Sequence, residues 1–300
     1  MEAQSQTLSS NTTHFRSISL PARLHHPNKT LQKLNSWQVS GRNYSSDKQS
    51  SEITSEEILS DLCRVEELYR TAQELTVEES RLLPRTSIDE LLTESVDLMD
   101  ACSAIRELFQ TLREIVRRLQ SALRRKGLDA AAVQPDIAAY FSCRRNTNKT
   151  AARTSKSLKN FMQKTAGGRH GDHFRELAGA TIRVFRSILG LLNPAAGEVN
   201  SGGWPLVSRL MATKSSPDGG LMVSEIRNLD LAVKSVVGKM RKNESRVHVY
   251  DDVDDQVRRV HVSLQGADDV IGEIDAGLDR LMRQLVQTRV HLLNILTHNL

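Results

Sequence analysis

The stretch Arg16-Ser17-Ile18-Ser19-Leu20-Pro21 has residue types and a spacing that suggest covalent regulation. It has the form R-S-x-S-x-P, a ligand pattern for 14-3-3 proteins once the second serine is phosphorylated. Arg16, three residues before Ser19, also suits what basophilic kinases accept. A phosphate adds about −1.5 to −2 charges and strong acceptor oxygens, which an arginine cluster on a partner can grip. Pro21 keeps the chain extended and lets it leave the partner's groove. The competing expectation is a solvated tail whose Leu20 and Pro21 dock on the folded body.

The second candidate is a run of cations. Arg144, Arg145, Lys149, Arg153, Lys156, Lys159 and Lys164 follow one another with no acid between Asp136 and Asp172. The simplest expectation is a solvated helix face that pairs with the acidic blocks at 52–126 and 250–279. Such a run is also drawn to anionic lipid, at about 1 kcal/mol per charge near the surface. Its apolar face is poor, because Asn148 and Ser155 fall on the seam. Nucleic acid is disfavoured. Single-strand binding wants interleaved aromatics, and only Tyr140, Phe141 and Phe161 flank the run. A protein partner is the remaining reading.

Other chemistry is poorly supported. His170-Gly171-Asp172-His173 offers two imidazoles in a glycine loop without further ligands, which reads as a loop. Asp251, Asp252, Asp254 and Asp255 imitate a calcium loop by charge only. Gln256 stands where such a loop needs glycine, and Val262 where it needs glutamate. They read as a helix start or as partners for Arg258 and Arg259. Gly167-Gly168 lacks the phosphate-loop layout. Cys63, Cys102 and Cys143 are far apart and odd in number, so buried thiols in a reducing compartment are expected. No catalytic, cofactor-binding or metal-binding residue is assigned.

The 300 residues are 39% hydrophobic, 26% charged and only 4% aromatic, a composition that suits helical layers. The net charge of +5 is unevenly spread. Residues 1–51 carry +4, 52–126 carry −5, 127–171 carry +6, 172–249 carry +4 and 250–300 carry −4. Such blocks can pair within one bundle, or leave the basic block to an acidic partner. No apolar run approaches the ~20 residues of a spanning helix.

These residues need elements to position them. Residues 1–51 are rich in Ser, Thr, Asn and Gln and read as a disordered basic tail. Their low acidity, with Arg16 and Arg23, also permits an organellar transit peptide. Thr54-Ser55-Glu56-Glu57 is a capping box that opens a helix carrying Ile58, Leu59, Leu62, Val65 and Leu68 inward. Ser87-Ile88-Asp89-Glu90 reads as a second box. Beyond it Ile88, Leu91, Ser95, Leu98, Cys102, Ile105, Phe109, Leu112, Val116, Leu119 and Leu123 step by three and four. Arg124-Arg125-Lys126 and Gly127 close this helix. Pro135 suits a first turn, so a helix is expected over Ile137 to Lys164. Others are expected from Asp172 to Asn193-Pro194 and from Leu221 to Lys242. Between them, 194–220 reads as a flexible loop. Residues 247–264 are undecided between helix and irregular chain. A last helix is expected from Asp268 to Thr297, with the seam Ile271, Ile274, Leu278, Leu281, Leu285, Thr288, Leu292 and Ile295.

Both ends of the chain carry a resemblance. His14-Phe15-Arg16-Ser17-Ile18-Ser19-Leu20-Pro21-Ala22-Arg23 resembles the opening H-x-R-S-x-S-L-P-x-R of the plant domain-of-unknown-function 241 family, related to the BYPASS proteins. Leu281 to Leu296 resembles that family's closing L-F-R-x-L-I-x-T-R-V-S-L-L-N-I-L. Met282, Val286 and His291 replace its Phe, Ile and Ser. The resemblance implies an all-helical plant protein without established enzymatic activity. It also implies a link to root and shoot development through control of a mobile root-derived signal. No catalytic residue comes with it.

The expected fold is therefore all-α, an elongated antiparallel bundle of long helices over 52–300 behind a disordered tail. The expected function is non-enzymatic regulation or scaffolding through protein contacts, with a phospho-switch at Ser19. The alternative is a peripheral membrane protein that uses 144–164. The expected place is the cytoplasm, or its membrane surface. A long bundle with exposed seam residues could also self-associate.

Overall fold

The computed structural model describes residues 54–79, 85–126, 129–165, 172–192, 224–243 and 250–298. They form six helices: α1 (Ser55–Glu79), α2 (Arg85–Lys126), α3 (Ala130–Thr165), α4 (Asp172–Leu192), α5 (Glu225–Asn243) and α6 (Tyr250–His298). No strand occurs among the described residues, as an all-α bundle requires. The tail at 1–51 and the loop at 194–220 lie outside them.

The spine of the bundle is the antiparallel pair α2 and α6. They are 42 and 49 residues long, about 63 and 74 Å at 1.5 Å per residue. All eleven expected seam positions of α2 are buried, as are all eight of α6. The alternating three–four step puts each seam on one face, and burial at roughly 1.5–3 kcal/mol per large side chain holds the pair together. Gly277 lets α1 approach closely, since a Cβ there would meet Leu62 Cδ1 at 2.9 Å.

Charge fixes the register of this pair. Arg106 of α2 reaches Asp275 at 3.0 Å and Asp279 at 2.9 Å on α6. Arg113 and Arg117 converge on Asp268 at 3.0 and 2.8 Å. Three acids of α6, Asp268, Asp275 and Asp279, are thus met by arginines inside the nominally acidic block 52–126 and not by the basic run of α3.

The other helices pack around this spine. α3 folds back along α2, with Lys126 bound to Asp136 at 2.9 Å across the corner. α4 packs on α3, α2 and α1, and α5 packs on α6. α1 runs parallel to α6, since Glu66 meets Arg280 and, further along both helices, Gln73 meets Thr288. A smaller apolar cluster of Ile88, Leu91, Leu92, Phe174, Leu292 and Ile295 closes one end.

Two expected helix starts hold, at Thr54 and at Asp172, and three are corrected. At Thr54 the capping box forms reciprocally: Thr54 Oγ1 accepts from the Glu57 N–H and Glu57 Oε2 from the Thr54 N–H, both at 3.1 Å. The box at Ser87 does not form. α2 already begins at Arg85, Ser87 is buried inside it, and Glu90 turns to Arg175 at 2.7 Å instead. α3 starts at Ala130, capped by Asp129 Oδ1 on the Ala132 N–H, which puts Pro135 at the sixth position rather than in the first turn. α6 starts at Tyr250 rather than Asp268, and absorbs most of the undecided 247–264 segment. Val260, Leu264 and Ala267 are all buried and extend the seam toward the N-terminus, so tertiary burial overrides the weak helix preference of the β-branched residues.

Two buried acids link this fold to pH. The hydrogen bond from Lys126 holds Asp136 below the usual carboxylate range, against its burial, with help from Arg118. Burial pushes Asp268 up, but hydrogen bonds from Arg117 and Arg113 outweigh it and hold the group low. A depressed carboxylate contributes stability above its unfolded value near pH 4, lost as pH falls through the folded value. Thermal unfolding from pH 6 to pH 3 should therefore show a falling Tm. Asp268→Asn should lower Tm at pH 6 and flatten that fall. An unchanged slope in the variant would remove Asp268 from the account.

Candidate functional site

The basic run divides by direction. At 100° per residue, Arg145, Lys149, Arg153, Lys156 and Lys159 fall within an arc of about 120° on α3. All five are exposed, and none makes an ion pair among the described residues. No acid on their own helix lies beyond Asp136. Among the described residues, the expected pairing with the acidic blocks therefore does not occur. The five form an exposed ridge, with Arg153 at its groove-side edge. The side chain of Lys164 lies outside the described set, as do Arg16, Ser17, Ser19 and Pro21. The same is true of the side chains of His170 to His173, of which Asp172 and His173 open α4, and of Asp251 to Asp255.

Arg144 corrects the sequence reading, because it is not part of any surface. Its side chain is 4% exposed. Nε and Nη2 donate to the Asp230 carboxylate of α5 at 3.0 and 2.9 Å. Nη1 donates to Asn148 Oδ1 at 3.1 Å and to the Leu192 carbonyl at the end of α4 at 3.3 Å. One guanidinium thus joins three helices and satisfies a carbonyl that a helix end leaves without a partner. Burial works against its charge, but the contacts with Asp230 outweigh burial.

Tyr140, one turn earlier, donates to Asp230 Oδ1 at 2.6 Å. Burial above all, then the Asp230 charge, pushes its hydroxyl far up, so it stays a donor. Its ring is 0% exposed and packs edge-on against Phe141 at 5.4 Å. Phe141 and Phe161 are half-buried against the core. The three aromatics that flank the cations therefore form no open stacking platform for bases.

Beside the ridge lies a groove of about 1030 Å³ between α2 and α3. Glu90, Glu94, Asp97 and Asp100 line its α2 wall. Arg153 stands on the α3 wall, Arg175 enters from α4, and Leu158 and Phe161 supply apolar lining. Arg175 is held by Glu90, yet its Nε and Nη1 are buried without a hydrogen-bond partner, as is Glu94 Oε2. Burial raises the Glu94 carboxyl despite the neighbouring Arg175. Sequence reasoning missed this groove. The acids step by four, three and three, but their partner wall comes from a separate helix.

The seam polar groups are structural. Ser95 donates to the Leu92 carbonyl and accepts from Arg289 at 3.0 Å. Thr288 accepts from Gln73 at 3.0 Å. Cys102 faces the Leu278 carbonyl at 3.5 Å, and burial pushes its thiol up to about 12, far from a reactive thiolate. A further buried pair, Tyr69 and Thr181 at 3.0 Å, was not legible in the sequence.

No helix among the described residues is long and apolar enough to cross a membrane. Among them no group of three or more His, Cys, Asp or Glu side chains is arranged to hold a metal ion. The family model described as Protein BPS1 matches residues 61–295. The chain belongs to the BPS1 family. This agrees with the family resemblance and takes in nearly all of the C-terminal pattern, while residues 14–23 lie outside the matched range; the match spans most of α1, all of α2 to α5 and nearly all of α6. Membership of the BPS1 family points to a role in plant development. No curated protein and no solved structure matches the chain.

The division of the basic run is testable by heat. Arg144→Ala strands Asp230 and the Leu192 carbonyl. Breaking one side of a buried pair costs about 3–5 kcal/mol, so Tm should fall by about 6–20 °C. Arg145→Ala, one residue away, should leave Tm within about 2 °C. Equal effects of the two variants would contradict the division.

Proposed function

We propose that this protein is a non-enzymatic regulatory scaffold in plant root and shoot development that acts through protein contacts. The observation that carries this reading is the ridge. Five cations stand exposed on one face without an ion pair among the described residues. Unpaired charge of one sign on a rigid helix steers and orients a partner of the opposite sign. Arg144, Tyr140, Ser95, Tyr69 and Thr288 are taken up in structural pairs. Ser19 adds a switch. Its phosphate, with Arg16 before it and Pro21 after it, offers a docking site for 14-3-3 proteins.

The same ridge favours a second reading, attachment to an anionic membrane surface. Five charges at about 1 kcal/mol each would suffice for reversible binding. The ridge carries no large apolar side chain to insert, which ranks this reading second.

Affinity capture from plant tissue, with mass spectrometry, tests the first reading. The combined Arg145→Glu, Lys149→Glu and Arg153→Glu variant should lose most partners that wild type recovers. Ser19→Ala should lose only the 14-3-3 proteins. Identical partner sets from all three baits would refute both surfaces. Flotation with phosphatidylserine vesicles tests the second. Salt-sensitive flotation that the reversed variant loses supports it, and wild type left at the bottom removes it.

A further inference from the structure

The groove between α2 and α3 has a chemistry that the ridge does not. Its α2 wall carries four carboxylates on successive turns, and among the described residues only Glu90 of these is in an ion pair. Asp97 and Asp100 are exposed, and Glu94 has a buried oxygen without a donor. Against these stand Arg153 and Arg175, and Arg175 is already committed to Glu90. The groove therefore keeps net negative charge. Its lining also includes Ala101, Ala104, Leu158 and Phe161. A fitting occupant is an extended segment that carries both cations and apolar side chains.

The chain supplies such a segment. Residues 1–51 carry six basic and two acidic side chains. Within them Phe15, Ile18 and Leu20 lie between or beside Arg16 and Arg23. Pro21 favours an extended backbone before it. We propose that residues 14–23 of this same chain occupy the groove while Ser19 is unphosphorylated. Their cations meet Glu94, Asp97 and Asp100, and their apolar side chains cover Leu158 and Phe161. Length permits this. The thirty residues between Arg23 and Thr54 span up to about 100 Å when extended and about 30 Å as a flexible coil. The whole of α2 is only about 63 Å long.

A phosphate on Ser19 reverses the match. It sets about two negative charges against the carboxylate wall, where like charges repel and desolvation is costly. The tail leaves the groove and becomes available to a phosphate-binding partner. This release step deepens the phospho-switch reading and rests on it, whereas docking of the unphosphorylated tail does not.

Hydrogen exchange with mass spectrometry on the full-length protein tests the proposal. Amides of residues 14–23 should exchange about tenfold more slowly than in a free peptide of the same sequence. The Asp97→Lys, Asp100→Lys double variant should bring them within about twofold of the peptide, with an unchanged Tm to show an intact bundle. Both substituted groups are exposed, so the fold should tolerate the change. Protein phosphorylated at Ser19 by a basophilic kinase should lose protection equally, with Ser19→Ala treated in parallel as control. Peptide-like exchange in wild type would overturn the proposal. So would protection that survives charge reversal, or protection that grows with protein concentration, which would place the tail on a second copy. Capture by purified 14-3-3 protein separates the two readings. Phospho-dependent capture with an unprotected tail sinks the docking alone. Protection without such capture supports docking and sinks the switch.

Discussion

The structure turns on the buried pair of Arg144 and Asp230. A guanidinium taken out of water is tolerated only when its donors are met, and here α3 itself, the end of α4 and the body of α5 each meet some of them. Tyr140 adds a donor to the same carboxylate. The rotation of α3 about its axis is thereby fixed. With Arg144 turned inward, residues 145, 149, 153, 156 and 159 must face outward. The exposed ridge is thus a geometric consequence of one interior ion pair.

A second constraint keeps the ridge unpaired. Three carboxylates of α6, Asp268, Asp275 and Asp279, are engaged by Arg106, Arg113 and Arg117 of α2. Those of α2 at 94, 97 and 100 face the groove rather than the ridge crest. The blockwise charge of the sequence therefore does not cancel block against block. It cancels locally along the α2–α6 spine and leaves opposite signs side by side on the α2–α3 surface.

The long seams were legible because apolar residues at steps of three and four have one structural meaning. That is why every expected seam position of α2 and α6 is buried. Helix starts were less legible. Ser87-Ile88-Asp89-Glu90 has the form of a cap, yet Glu90 finds Arg175, which is distant in sequence and near in space. The direction of Arg144 had a signal that residue type obscured. Counting round the helix places it with Tyr140, Thr147, Ala151 and Leu158, all buried. Its partner could not be read, because nothing local in the sequence ties position 144 to position 230. The groove was hidden for the same reason.

The most direct test is a double-mutant cycle on that pair, using Arg144→Met and Asp230→Asn, with stability read from urea unfolding. Asn keeps an acceptor for Tyr140, and Met keeps the volume of the arginine stem. The account predicts that the double variant loses less than the two single losses combined, by about 1–3 kcal/mol. Strictly additive losses would mean that the two side chains do not hold the three helices together, and would contradict the account.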